Sequence, residues 1–376
     1  MRILITSDIF PPDVGGPATY VPRIATALME RGHHVTVVTY SQADTDPEDH
    51  RYPFAVVRIP LAPPQWRRIL RTLSSIVRHG ADADIIYANG LVTEAALANW
   101  LLRKALVAKV VGDLAWERSR DKGWIDDDID AFQQVRYGAR VELLRWRRTW
   151  TYQQMQHTIV PSGYLRDMLV QSWRLSPRRV SVIYNAYEGL PEQVKPEPIA
   201  LETKQKLITV CRLTSWKGVD GLIALLTSLP DVGLVIVGDG PLRDQLEEQA
   251  EILGVRQRVL FAGTVARARV QGYLKACDVF VLNSTYEGLP HVILEAAAAG
   301  LPVVATNAGG TAEVMHDYAH GQLVPVGDAS ALHAAIIHWL GRPKPEPATL
   351  PVRFSHEQMV HDTEKLLQNQ AQGLHR

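Results

Sequence analysis

Short apolar runs recur along the chain, and each is followed by a segment whose apolar positions have helical spacing. In the first half, Arg2–Thr6, Val35–Thr39, Ala55–Arg58, Ile85–Tyr87, Val107–Val111 and Thr158–Val160 are rich in β-branched residues and bounded by breakers, so they are expected to be buried strands. Helices are expected over Thr19–Arg31, Gln65–His79, Val92–Lys104 and Gly163–Gln171, with a long Arg- and Trp-rich helical stretch from about Asp130 to Gln156. A second series of strands is expected at Leu207–Val210, Val232–Val237, Val259–Phe261, Val279–Leu282 and Val303–Ala305. Such alternation predicts α/β layers around parallel sheets.

Between the two series, Glu188–Pro198 is rich in Pro and charge and has no periodicity, which reads as an interdomain linker. The Pro-rich stretch 343–351 reads as a second crossing, and His356–Gln370 as a terminal helix. The expected domains are therefore residues 1–190 and 200–345, with a terminal helical segment over 355–376. At 376 residues the chain is too long for one ordinary core, which agrees with two.

Composition changes this picture little. The apolar and charged fractions, 46% and 21%, are those of a soluble globular protein. No apolar run reaches the ~20 residues of a membrane span. Residues 1–12 read as a core strand and loop, not as a signal peptide. A cytoplasmic location is expected, with a peripheral place at the inner face of a membrane as an open alternative. Cys211 and Cys277 have no zinc spacing and adjoin apolar strands, so both are expected to be buried reduced thiols. Residues 1–190 hold 24 Lys+Arg against 20 Asp+Glu, and residues 191–376 hold 16 against 20. A mildly basic first half suits an anionic acceptor or membrane surface, and nothing suggests nucleic acid.

The densest chemistry lies in Asn283–Glu295, where Glu287 and Glu295 stand eight residues apart. The strand Val279–Leu282 breaks at Tyr286-Glu-Gly288-Leu, and Pro290 suits a first helical position. A helix through Ala299 follows, closed by Gly300 and by Pro302 beyond. Its first N–H groups, near His291 and Val292, form an anion site, and the two carboxylates can accept hydrogen bonds from hydroxyls. Phosphate flanked by polyol describes a nucleotide sugar.

Other motifs fall at strand carboxyl ends, where open α/β sheets bind ligands. Gly15-Gly16 follows the first strand and lets backbone approach a phosphate or sugar, or else is a plain turn. Arg212 and Lys217 flank a turn after Leu207–Val210 and would bind a diphosphate, unless they are ordinary solvated charges. Gly238-Asp239-Gly240 ends a strand but is not a dinucleotide fingerprint, so a nicotinamide cofactor has poor support.

The ordered set Pro11-Pro-Asp-Val-Gly-Gly16, Pro161-Ser-Gly-Tyr-Leu, Arg212-Leu-Thr-Ser-Trp-Lys217, Val237-Gly-Asp-Gly-Pro241, the Glu-x7-Glu frame at 287 and 295, and Gly309-Gly-Thr-Ala-Glu313 closely resembles the retaining GT-B glycosyltransferases of family 4. The resemblance covers most of the chain. It implies two Rossmann-like doubly wound domains facing across a cleft, a first acceptor-side domain and a second donor domain. The terminal helix would cross back to the first domain. Glu295 would hold the ribose hydroxyls and Glu287 the transferred sugar. The turns at Gly238–Gly240 and Gly263-Thr-Val265 would lie close to the nucleotide, with Val265 near the base.

One departure from the family pattern matters. Where many members carry a His, this chain reads Val110-Val-Gly-Asp113-Leu-Ala-Trp-Glu117. Asp113 would contact the sugar or steady charge at the anomeric carbon, or would simply cap the following helix. The acidic run Asp126–Asp130 follows no buried strand and reads as a solvated helix start rather than a metal site. His316 and His320 have no evident third ligand, so no metal is expected. Pro63–Arg71 and Arg145–Trp150 mix Arg with Trp; they are read as helices with one buried face and Arg outside, the alternative being an anionic membrane surface.

The expected function is transfer of a sugar from a nucleoside diphosphate donor to a hydroxyl of a glycan, lipid-linked or small-molecule acceptor, with retention and without metal or other cofactor. Two alternatives stay open: a nucleotide-sugar epimerase on the same architecture and a non-catalytic partner subunit.

Overall fold

The computed structural model describes residues 1–13, 15–187 and 194–373, in two compact units: Met1–Tyr184 with the segment from Glu357, and Asn185–His356. The first unit begins with β1 (Arg2–Ser7), α1 (Gly16–Glu30), β2 (His34–Ser41), β3 (Ala55–Pro60) and α2 (Gln65–Gly80). Next come β4 (Ile85–Ala88), α3 (Val92–Leu102), β5 (Ala105–Lys109), α4 (Leu114–Asp121), α5 (Ile129–Gln134) and α6 (Ala139–Gln153). β6 (His157–Val160), α7 (Gly163–Gln171) and β7 (Val180–Val182) complete the series. The strands are all parallel, in the order β3-β2-β1-β4-β5-β6-β7, so the winding reverses between β1 and β4. Every residue of β4, β5 and β6 is buried, as a parallel sheet covered on both faces requires.

Three sequence expectations shift here. β5 ends at Lys109 because its pairing with β4 runs only from Ile85↔Ala105 to Ala88↔Ala108, which leaves Val110 and Val111 beyond the strand. The long stretch from Asp130 divides into α5 and α6, with Gly138 capping the second in extended backbone. α2 and α6 each bury one face as expected, but Arg148 is buried with it rather than outside, and Trp66 and Trp146 are exposed.

The second unit contains β8 (Gln205–Val210), α8 (Val219–Leu225), β9 (Val232–Val237), α9 (Arg243–Ile252), β10 (Val259–Gly263) and α10 (Arg267–Ala276). β11 (Val279–Leu282), α11 (His291–Ala298), β12 (Val303–Thr306), α12 (Thr311–Met315), β13 (Gly321–Val324) and α13 (Ala329–Leu340) follow. Its parallel order is β10-β9-β8-β11-β12-β13, with the reversal between β8 and β11. Leu207, Ile223, Leu234, Val281 and Trp339 share its core. β7 and β13 were not anticipated: the first has three residues, and the second opens on Gly321-Gln322, which breaks any apolar run. Pro290 stands as N-cap rather than inside α11, and Gly300 closes the helix at φ +74°.

The terminal helix α14 (His356–Gly373) belongs to the first unit from Glu357 onward. Its Glu364 carboxylate accepts from Arg31 and from His33 Nε2, each at 2.7 Å. Burial alone would raise that carboxyl; the bonds from His33 and Arg31 hold it below its ordinary value. Of the expected linker, residues 188–193 lie outside the described residues. Residues 194–198 have no regular structure and lie along α10, with Glu197 N–H donating to Gly272 O at 3.0 Å.

Candidate active site

The reversal between β8 and β11 is where a doubly wound sheet opens a crevice at its strand ends. From the β8 side, a turn carries Lys217 to the edge of that crevice; from the β11 side, the loop after Leu282 brings Glu287. Lys217 Nζ lies 2.6 Å from Glu287 Oε1, and the Ser284 hydroxyl donates to the same oxygen at 2.6 Å. Ser284 is fully buried and Glu287 nearly so. Thr306 of β12 donates to Ser284 O, and Thr285 N–H donates to Trp216 O at 2.8 Å, so three strand ends brace one carboxylate. Ser284 was not singled out from the sequence, although it stands inside the segment that was.

Backbone contact fixes this arrangement further. A Cβ at Gly309 would fall 2.0 Å from Glu287 O, and φ is +55° there, so only glycine suits the position. Gly310 N–H donates to Glu287 O at 2.9 Å. The Gly238–Gly240 turn has a comparable use: at Gly238, φ is +124° and a Cβ would fall 2.0 Å from Cys211 O. Leu213 N–H donates to Asp239 O at 3.0 Å, so the turn seats the 211–213 segment that leads to Arg212 and Lys217. Asp239 Oδ1 accepts from Gly240 N–H at 2.7 Å, and its other oxygen pairs with Arg243. Arg212 is exposed and makes no ion pair among the described residues.

α11 starts at His291 and Val292 behind Pro290, which offers no side-chain cap, and Gly288 lies in the approach to it. Glu295, one turn further on and half-buried, stands 3.6 Å from Arg267 Nη2 at the start of α10. Burial raises the Glu295 carboxyl, and Arg267 opposes that. Val265 sits half-buried just before Arg267. Tyr187, whose buried hydroxyl has no hydrogen-bond partner among the described residues, is pushed up to about 12 by burial and by the Glu295 charge. Arg267 is not legible from the sequence, because Glu295 stands 28 positions further on and only the fold brings the two together.

In the first unit, Gly15 caps α1 in extended backbone and Gly16 opens the helix; a Cβ at Gly16 would meet nothing within 4 Å. The preceding loop is held by buried Arg58, which donates to Pro11 O at 2.8 Å and grips both Asp49 oxygens at 2.7 and 2.8 Å. Of the two expectations for Asp113, the structure shows the helix cap. It is 0% exposed, caps α4 through Ala115 and Trp116 N–H, and accepts from Gln133 and Arg148. The buried Arg148 guanidinium lies 4.3 Å from the Trp173 ring centroid.

The acidic run is a helix start: Asp128 caps α5 through Ala131 N–H, Asp127 accepts from Tyr137, and Asp130 from Tyr164. Among the described residues, no group of three or more His, Cys, Asp or Glu could hold a metal. Cys211 and Cys277 are free thiols raised by burial, to about 11 and about 12.

Residues 14–188 match the family described as Glycosyltransferase Family 4, and residues 181–350 match Glycosyl transferases group 1. An uncharacterized glycosyltransferase of Methanocaldococcus jannaschii is 28% identical over 342 residues, covering 85% of this chain and 84% of that protein. A GDP-mannose-dependent alpha-(1-6)-phosphatidylinositol monomannoside mannosyltransferase of Mycolicibacterium smegmatis is 27% identical over 358 residues, covering 91% and 90%. Among solved structures, sucrose-phosphate synthase of Thermosynechococcus elongatus superposes with a TM-score of 0.76 over 98% of both chains at 20% identity, a likeness of fold. The chain therefore carries the two domains of a GT-B glycosyltransferase, a Family 4 domain followed by a group 1 domain.

Proposed function

We propose that the chain transfers a glycosyl group from a nucleoside diphosphate sugar to an acceptor hydroxyl, with retention at the anomeric carbon. The observation that carries the reading is the Lys217–Glu287–Ser284 cluster at the β8/β11 reversal, with Glu295 on the helix that follows. Lys217 and the exposed Arg212 neutralise the diphosphate, and the first N–H groups of α11 add to that charge stabilisation. Glu287 accepts hydrogen bonds from the transferred sugar, and Glu295 from the ribose. The Gly263–Val265 turn faces the base. Gly15-Gly16 leaves room for ligand to approach backbone, which the open space at Gly16 supports. The Gly238–Gly240 turn acts through the segment it seats.

The chemistry is a front-face displacement. The bond from the anomeric carbon to the diphosphate oxygen breaks as the acceptor oxygen bonds to that carbon on the same face. The acceptor's proton passes to the departing phosphate oxygen. The two cations take the charge-neutralising part, so the reaction runs without metal. Asp113 acts at one remove, by holding Arg148 and the start of α4. The Mycolicibacterium smegmatis relative is GDP-mannose-dependent by name, which supports a nucleotide-sugar donor here. The acceptor is a hydroxyl of a glycan, a lipid-linked glycan or a small molecule.

The test is nucleotide release from purified protein against UDP-, GDP- and ADP-sugars, with the anomeric configuration of the released sugar read by NMR and Glu287→Gln alongside. Release from one donor with retention, lost in the variant, supports the reading. An inverted product, or an isomerised sugar formed without acceptor, overturns it.

A further inference from the structure

The helix layer α2–α3–α6 of the first unit presents an outer face that none of this chemistry uses. The helices adjoin in that order, α2 against α3 and α3 against α6. A surface helix ordinarily turns its apolar stripe inward and its polar side to water. Here the outward stripes are apolar as well. Trp66 and Leu70 on α2, Trp100 and Leu101 on α3, and Leu143 and Trp146 on α6 are all exposed, the three tryptophans at 59%, 60% and 63%. On α6 the outward residues fall at helical spacing, Arg140, Leu143, Trp146 and Arg147, and the half-buried Trp150 follows. Trp150 joins two of the helices: its ring centroid lies 5.8 Å from that of Trp100 and 6.4 Å from that of Trp146.

Charge on this face has one sign. Every charged residue exposed within the three helices is an arginine: Arg67, Arg71 and Arg78 on α2, Arg140 and Arg147 on α6. α2 contains no Asp or Glu at all. The two carboxylates of the layer, Glu94 and Glu142, are half-buried, and Glu142 is paired with Arg145 at 2.9 Å. Exposed tryptophan and leucine interleaved with unopposed arginine suit the headgroup boundary of an anionic bilayer. Indole rings sit at that depth with apolar body and polar N–H both satisfied, and arginine meets lipid phosphate. No helix among the described residues is long and apolar enough to cross a membrane, so the contact is one of lying on the surface.

We infer that the outer face of α2, α3 and α6 docks on an anionic lipid surface. This goes beyond glycosyl transfer and does not depend on it: the face is remote in sequence from the donor cradle, and either reading can fail alone. The docked enzyme would meet acceptors displayed at that surface.

The experiment is co-sedimentation of the full chain with vesicles of equimolar phosphatidylcholine and phosphatidylglycerol, against phosphatidylcholine alone, with tryptophan emission recorded. The expected result is binding to the anionic vesicles only, a blue-shifted emission, and weakening by salt. Arg71→Glu and Arg147→Glu should each weaken binding by at least about fivefold, since one basic residue near such a surface is worth that factor. Trp66→Ala with Trp146→Ala should weaken binding and reduce the blue shift while the circular dichroism spectrum and thermal midpoint in solution stay unchanged, which shows that the variants are folded. No binding of the unaltered chain to anionic vesicles overturns the inference. So does binding that the four substitutions leave intact. Concentration-dependent self-association in light scattering, lost in the tryptophan variants and without vesicle binding, would assign the face to a second copy of the chain instead.

Discussion

Lys217 and Glu287 meet at 2.6 Å although 70 positions separate them in sequence, because the sheet order of the second unit makes β8 and β11 neighbours. The pair is well shielded, and Ser284 fills a further hydrogen-bond position on the same Glu287 oxygen. Glu287 is thus preorganised and needs little rearrangement to receive a sugar hydroxyl.

Removing either partner should cost turnover more than fold. Glu287→Gln keeps the shape and the Ser284 contact but loses the charge, and donor hydrolysis should fall by about 10²–10³. Lys217→Met should lower turnover on a similar scale. A variant that keeps full turnover while losing thermal stability would show that the pair is only structural.

Asp113 and Arg148 form a buried pair in the first unit, and each should matter chiefly to stability. Asp113→Ala leaves a buried guanidinium unpaired and uncaps α4, so a loss of about 3–5 kcal/mol is expected. Urea denaturation checks this. A variant with an unchanged midpoint but greatly reduced turnover would restore Asp113 to the chemistry.

Glu295 should make nucleotide binding depend on pH. Burial raises its carboxyl, Arg267 counters that, and the ionised form is the one that accepts ribose hydroxyls. Affinity for UDP or GDP should therefore fall as pH drops through the raised pKa. Arg267→Met removes the opposing charge, so this acid limb should move to higher pH. Calorimetric titration across pH reads it directly, and a limb that stays in place would separate Arg267 from Glu295.

Lys109 carries a second pH signature, in stability. It ends β5 fully enclosed, with its amine 3.7 Å from the Tyr20 ring centroid and no hydrogen-bond partner among the described residues. Burial lowers it from 10.5 to about 7. Between those values the unfolded chain binds more protons than the folded one, so stability should rise with pH across that interval. Below pH 7 the full penalty of a buried ammonium applies. Lys109→Met should raise Tm by several degrees at pH 6, with a gain that shrinks towards pH 10. Parallel melting profiles for the two proteins would rule this out.

Residue pattern by itself determined the two α/β series, most strand positions, and the placing of Arg212, Lys217 and Glu287 after strand ends and of Glu295 in the helix that follows. Those are local matters: β-branched runs, breakers and helix stops act over a few residues, and so they are legible in order along the chain. Pairing is not local. Only the β8/β11 reversal brings Lys217 to Glu287, and only the packing of loops against one another shows why Gly238 and Gly309 must lack a side chain. Asp113 makes the same point from the other side. Its motif leaves a ligand and a helix cap equally open, and only the fold supplies its partners Gln133 and Arg148, from two later helices. The outward tryptophans of α2, α3 and α6 also needed the fold, because a helical stripe has the same spacing whether it faces a core or water.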